Sequence, residues 1–232
     1  MLRAVFFDAG GTLVHVDYAR VCDALLGSVG RAPSVEALGG AEYAGRAAVE
    51  AAMAAEPALR DGSRWQSHFF GALTSLGFGR DELVKAGPAI RAEHARSNLW
   101  SVVREGTAEA LATLRARGLV VACISNSDGT VAALLEQVGL ASHLDFVVDS
   151  GVVGVEKPDP EIFRLALGRA GVAPAEAVHI GDLFAVDVVG ARNAGLEPVL
   201  LDPLGRYGDR GCRTSPDVPS VCRELVSSLG RG

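Results

Sequence analysis

Four short polar clusters carry residue types that could do chemistry. Asp8-Ala9-Gly10-Gly11-Thr12 follows a run of four apolar residues, which sets a carboxylate at the edge of a dry segment. An aspartate in such a place either neutralises or takes up a cation. Asp182 and Asp187 are five positions apart, so a loop carboxylate and a first-turn helical carboxylate could approach one ion. Hard oxygen donors of this kind suit Mg²⁺. Ser125-Asn126-Ser127-Asp128 ends another apolar run, where a hydroxyl and the N–H groups opening a helix can hold a phosphate. Lys157 precedes Pro158 and Pro160, which fix its loop, and a lysine there can neutralise an anionic transition state. Alone, each has an ordinary explanation: the aspartates and Ser125 as caps of the turns and helices they open, Lys157 as solvated surface.

What must position these groups is read from the apolar runs. Residues 4–7, 119–124, 145–148, 177–180 and 198–201 are short, mainly apolar runs, and each is followed by Asp, Ser, Gly or Asn. Such runs read as strands buried on both faces. Helical spacing occupies 129–138, 160–170 and 187–193, ending near Gly139, Gly171 and Gly195. Strands alternating with helices predict an α/β fold, a Rossmann-like doubly wound parallel sheet. In such a sheet ligands gather at the carboxyl ends of the strands, where all four clusters fall. From about 14 to 99 no strand-like run is found. That stretch is alanine-rich with helix-compatible patterns at 41–55 and 64–76, punctuated by Gly39-Gly40, Pro57, Gly77 and Pro88. It is too long for a crossover and predicts an all-helical domain at 15–99, inserted after the first strand of a core spanning 1–14 and 100–232. Residues 205–219, dense in Gly, Pro, Asp and Arg, read as a loop or loose tail before a last short helix.

Composition narrows the partners. With 49% hydrophobic and 22% charged residues the chain is globular rather than disordered. A net charge of −6 argues against a nucleic-acid or anionic-membrane partner, which would need a basic face. Basic charge is carried almost wholly by arginine, and Lys85 and Lys157 are the only lysines. None of Cys22, Cys123, Cys212 and Cys222 forms a CxxC pair, which suits reduced thiols. The first apolar run is far too short for a signal peptide or span, so a soluble, cytoplasmic protein is expected.

Together the clusters are specific. The order Asp8, Ser125, Lys157 and Gly181-Asp182, each after a successive strand, resembles the haloacid dehalogenase superfamily. The likeness covers 2–14 and about 104–202, including the texture Lys157-Pro158-Asp159-Pro160-Glu161-Ile162-Phe163 and Gly190-Ala191 after Asp187. The helical insertion is similar to that superfamily's C1-type cap. The resemblance implies a hydrolase, most simply a phosphatase of a small phosphorylated metabolite, with Asp8 as nucleophile forming an aspartyl-phosphate. It implies Mg²⁺ held by the Asp8 carboxylate, the Gly10 carbonyl and Asp182, with Asp187 close by. Ser125, Asn126 and Lys157 would hold the phosphoryl group, and Thr12 would hydrogen-bond within the first loop. The cap would set specificity, with Trp65, His68, Phe69, Arg91 and Trp100 as candidates beside the plainer reading that they pack its helices.

One position departs from the pattern. Phosphatases of the superfamily carry a second Asp two residues after the nucleophile as general acid, and here Gly10 stands there. His15 is the nearest replacement candidate. The change keeps two other readings open. A 2-haloacid dehalogenase needs no acid for a departing halide, but it has no use for the Gly181-Asp182 pair. A catalytically weak phosphate-binding protein is the other. A phosphonatase would need a Schiff-base lysine in the cap, where only Lys85 is present.

Overall fold

The short apolar runs do become a sheet. In the computed structural model, which describes residues 1–56 and 61–230, the strands and helices run as follows. β1 is Ala4–Phe7 and β2 His15–Val16, then come α1 Tyr18–Val29, α2 Val35–Gly40, α3 Glu42–Ala55, α4 Asp61–Ser75 and α5 Arg80–Arg96. After β3 at Trp100–Val102 come α6 Thr107–Ala116, β4 Val120–Ser125, α7 Val131–Gln137, β5 Phe146–Asp149, α8 Ser150–Val153 and α9 Pro160–Ala170. The chain ends with β6 Ala177–Gly181, α10 Val189–Asn193, β7 Glu197–Leu201, β8 Arg213–Ser215 and α11 Val218–Leu229.

The chain divides into two compact units, Met1–His15 with Val102–Gly232, and Val16–Ser101. The first is an α/β layer structure. Its six strands are ordered β5-β4-β1-β6-β7-β8, and every recorded pairing is parallel. β1 lies at the centre with all four side chains buried. One face packs Phe6, Ala122, Ile124 and Val148 against Ile162, Phe163, Ala166 and Leu167 of α9. That helix is well punctuated: Asp159 accepts from the Glu161 N–H, Pro160 opens the first turn and Gly171 closes it in the left-handed region. The sheet order reverses between β4 and β6 around β1, so the carboxyl ends of these three strands border one crevice.

The second unit is helical. Val21, Leu25, Leu38, Phe69, Leu73, Ala86, Ile90 and Leu99 form its core. Arg20 on α1 ties down the end of α5. It donates to Glu93 Oε1 at 2.8 Å and to the carbonyls of Asn98, Ser97 and Glu93 at 3.0, 2.7 and 3.2 Å. The Ser97 and Asn98 carbonyls follow the helix, and the Glu93 carbonyl also accepts the Ser97 N–H at 3.2 Å. No helix among the described residues is long and apolar enough to cross a membrane.

The structure differs from the sequence reading in four places. Residues 213–215 form an edge strand beside β7 rather than part of a loose tail. Arg-Thr-Ser has no apolar run to reveal it, because an edge strand can carry polar and charged side chains. Two short strands, β2 and β3, flank the helical segment and pair with each other. Pro88 lies inside α5, whose neighbours Ala86 and Ile90 are fully buried, so packing holds a helix through a residue that normally breaks one. The final helix, twelve residues long, is not short. Pro57 lies outside the described residues.

The Arg20 clamp gives a direct test. Arg20→Met is expected to lower the stability of the helical unit by about 1–2 kcal/mol, since it removes the hydrogen bonds to Glu93, Ser97 and Asn98 while Glu93 keeps its pairing with Arg96. Arg20→Lys should recover little, because an ammonium cannot reproduce the guanidinium fork. Urea unfolding of both variants reads the difference.

Candidate active site

Asp8 follows β1 directly, and its N–H is bound to the Ile180 carbonyl at 2.8 Å. The carboxylate therefore leaves the central strand at a fixed angle. The chain then turns tightly, with Leu13 and Val14 N–H groups both donating to the Ala9 carbonyl at 2.9 Å. Gly11 sits in this turn at φ +82°, and a Cβ there would lie 2.2 Å from an Asp182 carboxylate oxygen. Only glycine lets the Asp8 loop pass so close to Asp182.

Lys157 reaches the same place from the loop before α9. Its ammonium is 1% exposed and lies 2.5 Å from Asp8 Oδ1 and 2.7 Å from Asp187 Oδ1. Asp187 is held from behind by the His179 ring, 2.9 Å from Nε2, and by the Leu183 N–H at 3.1 Å. Gly181 makes room, since a Cβ on it would fall 2.2 Å from the Asp187 carboxyl carbon. Oxygens of Asp8, Asp182 and Asp187 all lie within 4.8 Å of one another. Three carboxylates converging in a buried site form a hard donor set that fits a divalent cation such as Mg²⁺.

Burial sets the protonation states. It pushes the Asp8 carboxyl up to about 7, against the pull of Lys157 and with added repulsion from Asp187. Burial also works against charge on Lys157, but Asp187 and Asp8 outweigh it and hold the ammonium above the ordinary lysine value. Asp187 is likewise opposed by burial, yet Lys157 and His179 keep it below the usual carboxylate range. Burial keeps the His179 ring below the ordinary histidine value despite Asp187. Asp187⁻ and Lys157⁺ are thus a standing pair, and Asp8 is the group that titrates.

The remaining candidates divide. Ser125 ends β4 and is buried, its hydroxyl only 3.4 Å from the Asn126 carbonyl. Asn126 uses its whole amide on Lys157: Nδ2 donates to the Lys157 carbonyl at 2.9 Å, and Oδ1 accepts the Lys157 N–H at 2.8 Å. Its side chain fixes the lysine's backbone. The Thr12 hydroxyl was expected to bond within the first loop. Instead Thr12 is 1% exposed and its Oγ1 has no hydrogen-bond partner. The loop is closed by backbone bonds and does not need it. Gly10 keeps its carbonyl but offers no acidic side chain. His15 is buried in β2. Among the expected specificity residues, Trp65 and Trp100 pack on Phe69, with ring centroids at 4.7 and 5.6 Å, and Arg91 stacks over Trp65 at 4.9 Å. Lys85 is exposed.

Three site residues were missed in the sequence. His179 is the lone polar side chain inside the run 177–180, and that interruption was its signal. Asp149 accepts N–H bonds from Gly129, Val131 and Gly151 at 3.1, 3.2 and 2.9 Å, pinning the loop after Ser125. Tyr207 donates its hydroxyl to the Asp182 carbonyl at 2.9 Å. Neither of these two has a local sequence signal.

A family model described as haloacid dehalogenase-like hydrolase matches residues 2–195. The chain belongs to that family. Among relatives of this hydrolase, the phosphoserine phosphatase of Thermus thermophilus is 39% identical over 193 residues, covering 80% of this chain and 72% of that one. The haloacid dehalogenase-like hydrolase domain-containing protein 3 of Mus musculus is 44% identical over 102 residues, 44% of this chain. The match spans only 40% of the mouse protein. A 2-haloacid dehalogenase from Pseudomonas syringae shares the fold, with a TM-score of 0.59 and 24% identity over 100% of this chain and 99% of its own. The fold is thus common to both chemistries within the haloacid dehalogenase family, and the site must decide between them.

The raised Asp8 value has a consequence for stability. The folded protein holds a proton on Asp8 up to about pH 7, whereas an unfolded aspartate loses it near 3.8. Folding is therefore favoured on the acid side, and this contribution is lost as pH rises through 7. In EDTA, Asp8→Asn is expected to be more stable than the wild type at pH 8 by on the order of 2–4 kcal/mol, and by less than half of that at pH 5, the gain vanishing only toward the unfolded value near 3.8. Urea unfolding at the two pH values measures it, and a gain independent of pH would contradict the assignment.

Proposed function

We propose that this hydrolase is a Mg²⁺-dependent phosphatase of small phosphorylated metabolites, working through an aspartyl-phosphate on Asp8. The observation that carries the reading is the Asp182 carboxylate, in a cluster with Asp8 and Asp187. Dehalogenation has no use for a carboxylate-bound cation, whereas a phosphate ester, itself anionic, requires one beside an anionic nucleophile. The likeness to a phosphoserine phosphatase over most of the chain supports the same choice. It also makes small phosphorylated acids the first substrates to try.

Asp8 attacks phosphorus as a carboxylate, a P–O bond forms to its Oδ, and the ester oxygen departs with the electrons of the broken bond. Water then cleaves the aspartyl-phosphate, releasing inorganic phosphate and restoring Asp8. Lys157, already against Asp8, orients the nucleophile and faces the transferring oxygens, with the Ser125 hydroxyl at the neighbouring strand end. The buried, unbonded Thr12 hydroxyl is a further donor in the first loop. Mg²⁺ held by Asp8, the Gly10 carbonyl and Asp182 would supply neutralising charge, with Asp187 alongside. Gly10 can give the leaving oxygen no proton, so rates should depend steeply on the leaving group.

The test is phosphate release from a panel of phosphorylated acids, sugars and aryl phosphates, in Mg²⁺ and in EDTA, for wild type and Asp8→Asn. Turnover is expected only with both metal and Asp8. Aryl phosphates should be favoured over alkyl ones by about 10²–10⁴-fold, the usual worth of a general acid. Halide release from a 2-haloacid with no phosphate release would sink the proposal in favour of dehalogenation.

A further inference from the structure

His179 occupies a position where packing alone asks for an apolar side chain. It lies on β6, pairs with Phe6 on one side and Pro198 on the other, and is fully buried. The Phe163 ring meets it edge-on at 4.9 Å. One ring nitrogen, Nδ1, is buried without any hydrogen-bond partner, an arrangement that works against stability. The other, Nε2, lies 2.9 Å from Asp187 Oδ1. Since Asp187 is ionised, Nε2 carries the proton and donates it, which fixes the tautomer and leaves Nδ1 as the bare acceptor.

The rest of Asp187 is engaged as well. Oδ1 also accepts from the Lys157 ammonium at 2.7 Å, and Oδ2 accepts the Leu183 N–H at 3.1 Å. Donors from β6, from the loop before α9 and from the turn after β6 thus fix both oxygens. Without His179, Asp187 keeps one bond per oxygen and can rotate about its Cβ–Cγ bond, taking the ammonium away from Asp8.

We propose that His179 is a positioning residue of the Asp8 centre: by donating to Asp187 it locks the carboxylate that holds the Lys157 ammonium against the nucleophile. The relay runs His179, Asp187, Lys157, Asp8, and only its far end meets substrate. The inference rests on Asp8 being the reacting group.

Two readouts test it, one of them independent of turnover. Lys157 and Lys85 are the only lysines, so acetylation of the folded protein followed by peptide mass spectrometry compares the buried lysine with an exposed internal standard. His179→Leu is expected to raise labelling of Lys157 relative to Lys85 several-fold, while His179→Gln, whose amide can still donate, stays near wild type. Melting temperatures verify that both variants are folded. With p-nitrophenyl phosphate and Mg²⁺, His179→Leu should lower kcat about tenfold or more with KM nearly unchanged, and His179→Gln should restore most of it. In an Asp187→Asn background the Leu substitution should add little. Unchanged Lys157 labelling and unchanged kcat in folded His179→Leu would overturn the proposal. So would equal losses in both backgrounds, which is what a packing role gives. If the wild type has no phosphatase activity, the proposed function fails and the labelling ratio alone decides the role of His179.

Discussion

An ammonium ion buried to 1% exposure between two carboxylates is the constraint that organises the α/β unit. A lysine so placed cannot stay charged by default, because removal from water opposes ionisation by several kcal/mol. Its partners must be held at bonding distance. Asp8 is fixed by the central strand of the sheet and Asp187 by the turn after the adjacent one. The lysine's own main chain is fixed by Asn126 at the end of the strand on the other side. Each anchor belongs to a different crossover, so the centre exists only when the parallel sheet has its native order.

The same constraint explains the glycines and the small loops. Gly11 and Gly181 each face an aspartate at a distance no Cβ could share, which is how three carboxylates fit within 4.8 Å. Asp149 and Tyr207 do for the surrounding loops what Asn126 does for Lys157. They spend side-chain polar groups on backbone N–H and carbonyl groups. The helical unit obeys different physics. Its aromatic residues pack into one another, and the polar node at Arg20 closes a helix end.

Much of the sheet was legible because buried parallel strands are written as apolar runs, as β1, β4, β5, β6 and β7 are, with His179 interrupting β6. The edge strand β8 was not, since an exposed edge is written in polar residues that also make loops. The acidic cluster could be anticipated because Asp8, Asp182 and Asp187 follow strand ends, where chain topology makes residues 174 to 179 positions apart into neighbours. The packing around them could not. Asn126 reads as a phosphate contact in a motif and turns out to spend its amide on a backbone, and Thr12 reads as bonded and is not. Both outcomes turn on angles of a few side chains, and residue order carries no record of those. His179 lay between, visible as a polar letter in an apolar word but without meaning until its ring was seen on Asp187.

Charge balance carries the argument one step further. Asp8 and Asp187 against Lys157 carry one net negative charge when all three are ionised, and Asp182 brings a third carboxylate to the same place. The protein alone can lower this by one, through the proton that burial places on Asp8 up to about pH 7. That protonated form cannot attack phosphorus. A divalent cation held by the three carboxylates would favour the Asp8 carboxylate that the proposed chemistry needs, so metal binding and activation of Asp8 would be one event. The cost falls on the substrate side. With Gly10 offering no acid, nothing in the first loop can donate a proton to the oxygen that leaves. On the proposed reading, the centre is well built to make the aspartyl-phosphate and poorly built to help a basic leaving group depart.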